Sequence, residues 1–294
     1  MVPSAAPAAR AIYSSAEPHI VDVLIAERAP RLSATPWWPL VRPLLYRLLN
    51  YFRARRMADA VAPLSGREAF DHVSRLLALQ VAYTGLENMP RSGPCVVICN
   101  HPTGIADGVA VFDVLKTVRD DLIYYANADA RRVCPRLDEL IIPVEWVEGK
   151  KTRERTRTTL RASQAAFEEG RALVVFPAGR IARKGPDGRL MDPPWQPSAL
   201  SLARKHDAPI VPIHVAGPWS TLFHFFNRFS PELRDITLFH ELLNKRGRRF
   251  KLVIGQPIPP EALGSDLTTA TETLKRYIEF ELSAGPEIGF RPLT

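Results

Sequence analysis

The pattern of hydrophobic and polar positions changes at about residue 80. Beyond Gly85, short apolar runs rich in β-branched residues alternate with longer amphipathic stretches. Such runs are typical of buried strands, and the stretches between them have helical spacing. The pattern predicts an α/β fold with a mostly parallel sheet flanked by helices. Strands are expected at 95–99, 122–126, 139–144, 172–176, 210–216 and 250–255, and helices at 108–118, 152–169, 199–206 and 268–282.

The chain before residue 80 has another pattern. Residues 1–35 are rich in Ala and Pro, show a weak helical pattern around Val21–Glu27, and are interpreted as a flexible leader. Residues 36–57 have apolar positions at helical spacing with arginines between them, which predicts an amphipathic helix. Because proline disrupts a helix interior, regular helix is expected only from Pro43. Another helix is predicted at 67–79, so 36–80 is interpreted as an N-terminal helical segment.

The amphipathic segment has the features of a helix that lies in a membrane surface. Tryptophans suit the interfacial zone, apolar side chains can enter the acyl boundary, and arginines can meet anionic headgroups. The alternative is a helix packed on the α/β part of the chain. The arginines also interrupt the apolar stretch, so we expect peripheral attachment and no spanning helix. The residues concerned are Trp37, Trp38, Leu44, Leu45, Leu48 and Phe52, with Arg47, Arg53, Arg55 and Arg56.

Charge and cysteine content narrow the expected partners and compartment. The 294 residues carry a net charge of +8, which favours acidic partners such as anionic lipid, nucleic acid, an acidic carrier protein or a phosphate-bearing donor. The stretch 150–161 is strongly cationic, but it opens a predicted helix and no nucleic-acid module accompanies it, so a solvated helix face is favoured. Three cysteines fit neither a disulfide framework nor a zinc site. The expected location is the cytoplasmic face of the cell membrane.

The most informative stretch is 95–115, where an apolar strand leads directly into Asn100 and His101, a Pro-Thr-Gly turn and Asp107. Sites in parallel sheets gather where strands end at their carboxyl side. A carboxylate that holds one ring nitrogen of a histidine leaves the other nitrogen free to take a proton from a hydroxyl. Alternatively, Asp107 caps the next helix and His101 is an ordinary loop histidine. The spacing alone does not choose between these interpretations.

A second stretch, 171–183, has the same form. Its strand is followed by a Pro-Ala-Gly turn and then by Arg180 and Arg183. Backbone amides at a glycine turn and nearby guanidinium groups make an anion site, whereas the alternative is a solvated turn with surface arginines. A third strand, 210–216, contains His214, which is expected in the sheet interior or at its edge.

Together these stretches resemble the lysophospholipid-acyltransferase family, also called the glycerolipid acyltransferase or PlsC-like family. NHPTGIAD resembles its catalytic Asn-His-x4-Asp block, FPAGRIAR its Phe-Pro-Glu-Gly-Thr-Arg block, and VPIHVAG its apolar fourth block. The run DPPWQPSALSLARKHDAPIVPIHVAG, with ELLNKRG further on, is similar to a bacterial hemolysin-like or ornithine-lipid acyltransferase branch. The resemblance covers about residues 80–260, and residues 81–294 are accordingly predicted to form an acyltransferase domain, with 36–80 attaching it to the membrane.

The resemblance implies an O-acyltransferase of membrane lipid biosynthesis. A fatty acyl chain would pass from acyl-coenzyme A or acyl-carrier protein to a lysolipid hydroxyl, with no further cofactor and no metal. His101 is implied as the base and Asp107 as the carboxylate that orients it. The substrate-binding residues that the resemblance implies are Asn100, Thr103, Gly104, Pro177, Gly179, Arg180 and Arg183.

Two departures from the family pattern affect the acceptor. Five residues, not four, separate His101 from Asp107, and Gly104 is expected to let the turn absorb the extra residue. Ala178 and Ile181 replace the usual Glu and Arg, while positive charge stands at other positions of the same block. A carboxylate or phosphate headgroup is therefore expected in a shifted position. The predicted acceptor is a lyso-aminolipid such as lyso-ornithine lipid, and the alternative is 1-acylglycerol-3-phosphate (lysophosphatidate).

Two interpretations from other classes stay open. A non-catalytic basic protein that binds anionic membrane through its arginines would share the charge and the amphipathic segment. A hydrolase that uses Ser198 or Ser220 is less favoured, because neither serine stands in a nucleophile-elbow sequence.

Overall fold

The computed structural model describes residues 17–145, 152–185 and 188–292. All six predicted strands are present within two residues of their expected ends, and three more strands were not predicted. The strands are β1 Gln80–Thr84, β2 Cys95–Cys99, β3 Leu122–Asn127, β4 Ile141–Val144, β5 Ala172–Val175, β6 Arg183–Lys184, β7 Leu190–Met191, β8 Ile210–Ala216 and β9 Arg249–Ile254. The helices are α1 Ile20–Arg28, α2 Pro30–Ser33, α3 Trp38–Leu48, α4 Tyr51–Val61, α5 Gly66–Leu77, α6 Ile105–Leu115, α7 Asp129–Val133, α8 Arg153–Glu168, α9 Ser198–Lys205, α10 Thr221–Phe229, α11 Pro231–Asp235, α12 Leu238–Leu243 and α13 Leu267–Arg276.

Seven strands form one sheet in the order β1-β9-β8-β2-β5-β3-β4, and β6 with β7 forms a separate antiparallel hairpin. Every neighbouring pair in the large sheet is parallel except β8 with β9. The predicted fold class is therefore confirmed. In register, Ile98 lies beside Val175, and Cys99 lies beside Ile213. The chain thus leaves β2 and β5 at the same edge of the sheet.

Hydrophobic side chains cover both faces of the sheet. Along β2, Val97 and Cys99 belong to one cluster, whereas Val96 and Ile98 belong to the other, as the two-residue period of a strand requires. The first cluster includes residues of α1, α3, α4, α6 and α12, and the second includes residues of α8, α9 and α13. Because β2 is buried on both faces, its sequence is apolar throughout rather than alternating.

The predicted C-terminal helix at 268–282 begins where expected but changes form before its end. Helix α13 passes into a π-helical turn, Tyr277–Glu281, and then into a short 3₁₀ turn. Single π turns inside helices are often associated with functional sites. This one includes Glu279, which is buried although it carries an ionisable side chain.

The flexible-leader prediction is not met over residues 20–33, which form α1 and α2, while residues 1–16 lie outside the described ranges. Val21, Leu24 and Ile25 are buried. The hydroxyl of Tyr51 donates to both carboxylate oxygens of Asp22, at 2.8 and 2.7 Å. Tertiary packing supplies most of the stability of short helices, so a weak sequence pattern gave little sign of them.

The predicted amphipathic segment is two helices rather than one. Helix α3 begins at Trp38 and contains Pro43 in its interior, which corrects the expected start at that proline. The chain then turns at Asn50, whose φ of 58° lies in the left-handed region, before α4 begins.

Part of this segment packs on the rest of the protein. Leu45 is buried, and Trp38 lies edge-on to Tyr46 in a half-buried position, so these two are corrected as membrane-contact residues. Five other apolar residues of the segment are exposed: Trp37, Leu40, Leu44, Leu48 and Phe52. Within the described ranges, no helix combines the length and the apolar content that crossing a bilayer requires.

We expect Leu24→Ala to lower the free energy of unfolding by about 2–5 kcal/mol, because it leaves a cavity beside a fully packed side chain. Leu24 is 2% exposed, whereas Leu40 on α3 is 71% exposed. Leu40→Ala is the matched control and should change stability by no more than about 0.5 kcal/mol. Urea unfolding of both variants measures the difference, and equal stabilities would contradict the placement of α1 in the core.

Candidate active site

The turn after β2 is fixed by the side chain of Asn100. Its amide nitrogen donates to the backbone oxygen of Val215 at 2.9 Å, and its Oδ1 accepts from the backbone nitrogen of Val215 at 2.6 Å. Asn100 therefore joins the ends of β2 and β8 and is buried. The resemblance implies that Asn100 binds substrate, and in the structure its side chain has backbone partners inside the protein.

His101 and Asp107 meet across the five-residue spacing. Nδ1 of His101 lies 3.0 Å from Oδ2 of Asp107, whose side chain is fully buried, while the His101 side chain is 16% exposed. The ring is turned so that this contact is an ion-pair distance without the alignment of a hydrogen bond. Catalytic hydrogen bonds are often misaligned in unliganded proteins and tighten when substrate binds. The arrangement leaves the other ring nitrogen, Nε2, for a proton from substrate.

Asp107 also holds the turn that carries His101. Its Oδ2 accepts from the backbone nitrogens of Thr103 and Gly104 at 2.9 and 3.0 Å, and its Oδ1 accepts from Oγ1 of Thr103 at 2.6 Å. Asp107 is therefore both the cap of α6 and the partner of His101, two roles that the sequence presented as alternatives. Gly104 has a φ of 95°, and a Cβ there would lie 2.8 Å from Cδ1 of Ile181. Glycine therefore lets the longer turn close against the neighbouring loop.

The loop after β5 lies over His101. The ring of Phe176 packs on the imidazole with 4.6 Å between ring centroids, and the backbone nitrogen of Ala182 donates to the backbone oxygen of His101 at 2.9 Å. Pro177 accepts a backbone hydrogen bond from Gln196, and Gly179 has a φ of 59° in the turn. The structure places these two residues in the turn that shapes the loop beside the histidine.

The arginines of this loop have a third arginine as neighbour. Nε of Arg183 is buried without a hydrogen-bond partner among the described residues, while Arg180 is exposed. Burial lowers the pKa of Arg183, and the positive charges of Arg234 and Arg180 lower it further, against a weaker opposing effect of Asp235. A positive charge lowers the pKa of another cation only when it lies near it, so Arg234 and Arg180 are neighbours of Arg183. This group of Arg180, Arg183 and Arg234, called the arginine group below, can hold an anionic headgroup.

The chain is similar in sequence to proteins that are named as acyltransferases. Residues 80–216 match the family model described as Acyltransferase. A lyso-glycine lipid O-acyltransferase of Phocaeicola vulgatus is 28% identical over 211 residues, which are 70% of this chain and 74% of that protein. A lyso-glycine lipid O-acyltransferase of Bacteroides thetaiotaomicron is 26% identical over 213 residues, 70% of this chain and 75% of that protein. These matches support membership of the acyltransferase family.

Among solved structures, the PlsC 1-acyl-sn-glycerophosphate acyltransferase of Thermotoga maritima has a TM-score of 0.47 and 15% sequence identity to this protein, over 88% of this chain and 97% of that one. The matched family range contains His101, Asp107 and both loop arginines. Arg234 lies beyond it, on α11, in a region where the sequence predicted no helix. Only its proximity in the fold connects it with the site.

Asp192 is a site residue that sequence reasoning did not identify. Both of its carboxylate oxygens accept from the backbone nitrogen of His101, at 3.1 and 3.0 Å, and Oδ2 also accepts from the indole nitrogen of Trp195 at 2.9 Å. It belongs to the DPPWQ run, which the sequence connected with a branch of the acyltransferase family without assigning a role. The DPPWQ run was thus a sequence signal for this residue. The contact of Asp192 with His101 was not predictable from it, because the two residues are 91 positions apart.

The remaining candidates have partners other than His101. Ser220 caps α10 and donates to Glu241 at 2.7 Å, and in the part of the chain that the structure describes neither the Ser220 hydroxyl nor the Ser198 hydroxyl forms a hydrogen bond with a histidine side chain. His214 lies in β8, half-buried, with Nδ1 at 2.8 Å from the backbone oxygen of Ile278. No group of three or more potential metal ligands occurs among the described residues.

Proposed function

We propose that this acyltransferase moves a fatty acyl chain from an acyl thioester to the hydroxyl of a lysolipid, with His101 as general base. The observation that carries the proposal is the 3.0 Å contact of the His101 ring with the buried Asp107 carboxylate, at the carboxyl end of a central strand. The lysolipid acceptor is supported by the two relatives, which are named lyso-glycine lipid O-acyltransferases.

In the proposed reaction, Nε2 of His101 takes the proton as the acceptor hydroxyl oxygen attacks the thioester carbonyl carbon. The carbon–sulfur bond of the resulting tetrahedral adduct then breaks, and the thiolate leaves with the proton that the imidazolium returns. Asp107 keeps the Nδ1 proton in place and stabilises the positive charge that forms on the ring. The donor is acyl-coenzyme A or acyl-carrier protein, since the positive net charge suits the phosphates of one and the acidic surface of the other.

For the acceptor we propose a lyso-aminolipid whose headgroup carries a free carboxylate. An amino acid joined to a fatty chain through its amine keeps that carboxylate, and lyso-glycine and lyso-ornithine lipids share this feature. The arginine group offers guanidinium donors that fit a carboxylate in bidentate geometry. Lysophosphatidate is the second candidate, because a phosphate would satisfy the same donors.

We further propose that the enzyme attaches peripherally to the anionic cytoplasmic face of the membrane. Besides the exposed apolar residues of α3, two aromatic residues of α10, Phe225 and Phe229, are also exposed. Helix α11, which follows α10, is joined to α2, because Glu232 accepts from the backbone nitrogens of Arg31 and Leu32 at 3.2 and 2.8 Å. Aromatic and aliphatic side chains with arginines nearby are typical of interfacial attachment.

His101→Ala is expected to reduce acyl transfer by about 10²–10⁴ while the protein stays folded, because the ring supplies proton transfer and is not part of the core. Asp107→Asn should also lose most activity through weaker orientation of the imidazole. Turnover of acyl-coenzyme A and lysolipid, measured by labelled diacylated product, gives the effect. His72→Ala on α5 is the matched control, and near-normal turnover by folded His101→Ala enzyme would exclude the mechanism. Loss of wild-type activity on chelation would indicate a metal site instead.

Arg183→Ala is expected to raise KM for the acceptor at least tenfold, with a smaller change in kcat, because the headgroup loses a charged partner. Arg234→Ala should act in the same direction. The measurement compares lyso-glycine lipid, lyso-ornithine lipid and lysophosphatidate, with Arg161→Ala on the exposed face of α8 as control. A preference for lysophosphatidate that Arg183→Ala leaves unchanged would refute both the acceptor class and the role of the arginine group.

Replacing Leu40, Leu44 and Phe52 together by serine is expected to abolish co-flotation with anionic vesicles, while kcat on detergent-solubilised substrate is retained. Deletion of the N-terminal segment is unsuitable, because α1 and α4 contribute to the core. The control replaces the exposed Tyr83 and Leu160, which lie outside α3 and α4, by serine. Unchanged flotation of the triple variant would refute attachment through this surface.

A further inference from the structure

The backbone of His101 is bound on both sides by the hairpin of β6 and β7. Ala182, immediately before β6, donates its backbone N–H to the His101 oxygen at 2.9 Å. Asp192, immediately after β7, accepts the His101 N–H with both carboxylate oxygens. Arg183 pairs with Met191 across the hairpin, which keeps these two positions together. Both polar groups of the His101 backbone are therefore held by one short element.

A buried network holds Asp192 in turn. Besides the His101 N–H, its carboxylate accepts from the indole nitrogen of Trp195. Its own backbone nitrogen donates to Oε1 of Glu279 at 2.6 Å, and Glu279 forms an ion pair with Lys275. Asp192, Trp195 and Glu279 are all buried. Two carboxylates thus lie together in the protein interior, next to the proposed catalytic histidine.

This environment makes Asp192 titrate near neutral pH. Burial raises its pKa to about 7, and the charge of Glu279 raises it as well, while His101 and the N–H donors of Trp195 and His101 oppose the shift. The other ionisable groups around it are Asp107 on α6 and Lys275 on α13, together with Cys99 on β2, whose thiol pKa is raised by burial and by both aspartates. A charge that changes near pH 7 therefore lies beside the backbone of the proposed base.

We propose that Asp192 is a positioning residue that fixes the His101 backbone and, when ionised, increases the basicity of the His101 imidazole. This inference rests on the proposed role of His101 as base. Asp107 contacts the ring and Asp192 contacts the backbone nitrogen, so two carboxylates lie near the imidazolium that forms during acyl transfer. A nearby negative charge stabilises imidazolium relative to imidazole, which favours proton uptake from the acceptor hydroxyl.

The electrostatic role is separable from a structural one by Asp192→Asn. The asparagine retains the size of the side chain and one oxygen that can accept the His101 N–H, but it removes the charge. The acid limb of the kcat/KM profile follows protonation of the base. We expect this limb to move to lower pH by about one unit, because the imidazole loses a stabilising carboxylate. We also expect kcat to fall while KM for donor and acceptor stays within about twofold.

The shape of the profile gives a second criterion. In the wild type, Asp192 loses its charge as the pH falls through about 7, so the acid limb should be broader than a single-proton curve. Asp192→Asn should narrow it to one proton. Glu272→Gln is the control, because it removes an equal charge from an exposed position on α13 and should leave limb and kcat unchanged.

Trp195→Phe provides an independent variant should Asp192→Asn fail to fold. It keeps an aromatic ring but removes one N–H donor to the Asp192 carboxylate, so the pKa of Asp192 rises and its charge is lost at higher pH. The acid limb should then move in the same direction as for Asp192→Asn, by a smaller amount.

An NMR titration of the His101 ring in ¹³C-labelled protein measures the pKa directly, without turnover. A lower His101 pKa in Asp192→Asn supports the inference. An unchanged His101 pKa and an unchanged acid limb in the folded variant would overturn it, even with reduced activity. Failure of the proposed function is distinguishable, because it would be seen as retained activity of His101→Ala, whereas the titration concerns Asp192 alone.

Discussion

The site depends on a fully buried carboxylate. Asp107 is removed from water, and an ionised group in such a position is tolerated only when its oxygens have partners. Thr103 and Gly104 supply three hydrogen bonds from the turn, and the His101 ring approaches the same carboxylate. The bonds that stabilise the charge therefore also fix the turn that carries the proposed base. Removing the carboxylate would affect helix start, turn and imidazole together.

The sheet determines what lies around this carboxylate. Because β2, β5 and β8 are parallel neighbours, their carboxyl ends open at one edge. Asn100 joins the ends of β2 and β8, and the loop after β5 brings Phe176 over the imidazole. The hairpin that continues this loop returns to His101 through Asp192. The position of the His101 imidazole and the charges around it are thus determined by three strands and one hairpin, and not only by the stretch that contains His101 and Asp107.

The sequence predicted the central elements well, because local signals were strong there. Residues 95–99 are apolar at every position, as expected of a strand buried on both faces, and the structure begins and ends β2 at those residues. The edge strand β1 was missed, since its mixed residues QVAYT are mostly exposed. Helix α1 was taken for part of a leader because its stability comes from contacts with α4 rather than from its own pattern.

For the site, the family resemblance implied the pairing of His101 with Asp107, since the spacing alone left the helix-cap alternative open. It could not predict Asp192 or Arg234, whose links to the site join distant parts of the chain. Asn100 shows the converse limit. The resemblance implied that Asn100 binds substrate, and only the fold reveals that its amide also pairs with both backbone groups of Val215.

The arginine group, like the buried Asp107 carboxylate, is a place where the protein holds charge at a cost in stability. Burial and two like charges lower the pKa of Arg183, so the folded protein destabilises its charged form. Arg234 is already paired with Asp235 at 2.7 Å and with Asn227, which leaves Arg183 the least compensated member. Proteins retain such local conflicts chiefly at functional sites. An anionic headgroup bound beside Arg183 would offset the repulsion, because a nearby negative charge favours the charged guanidinium.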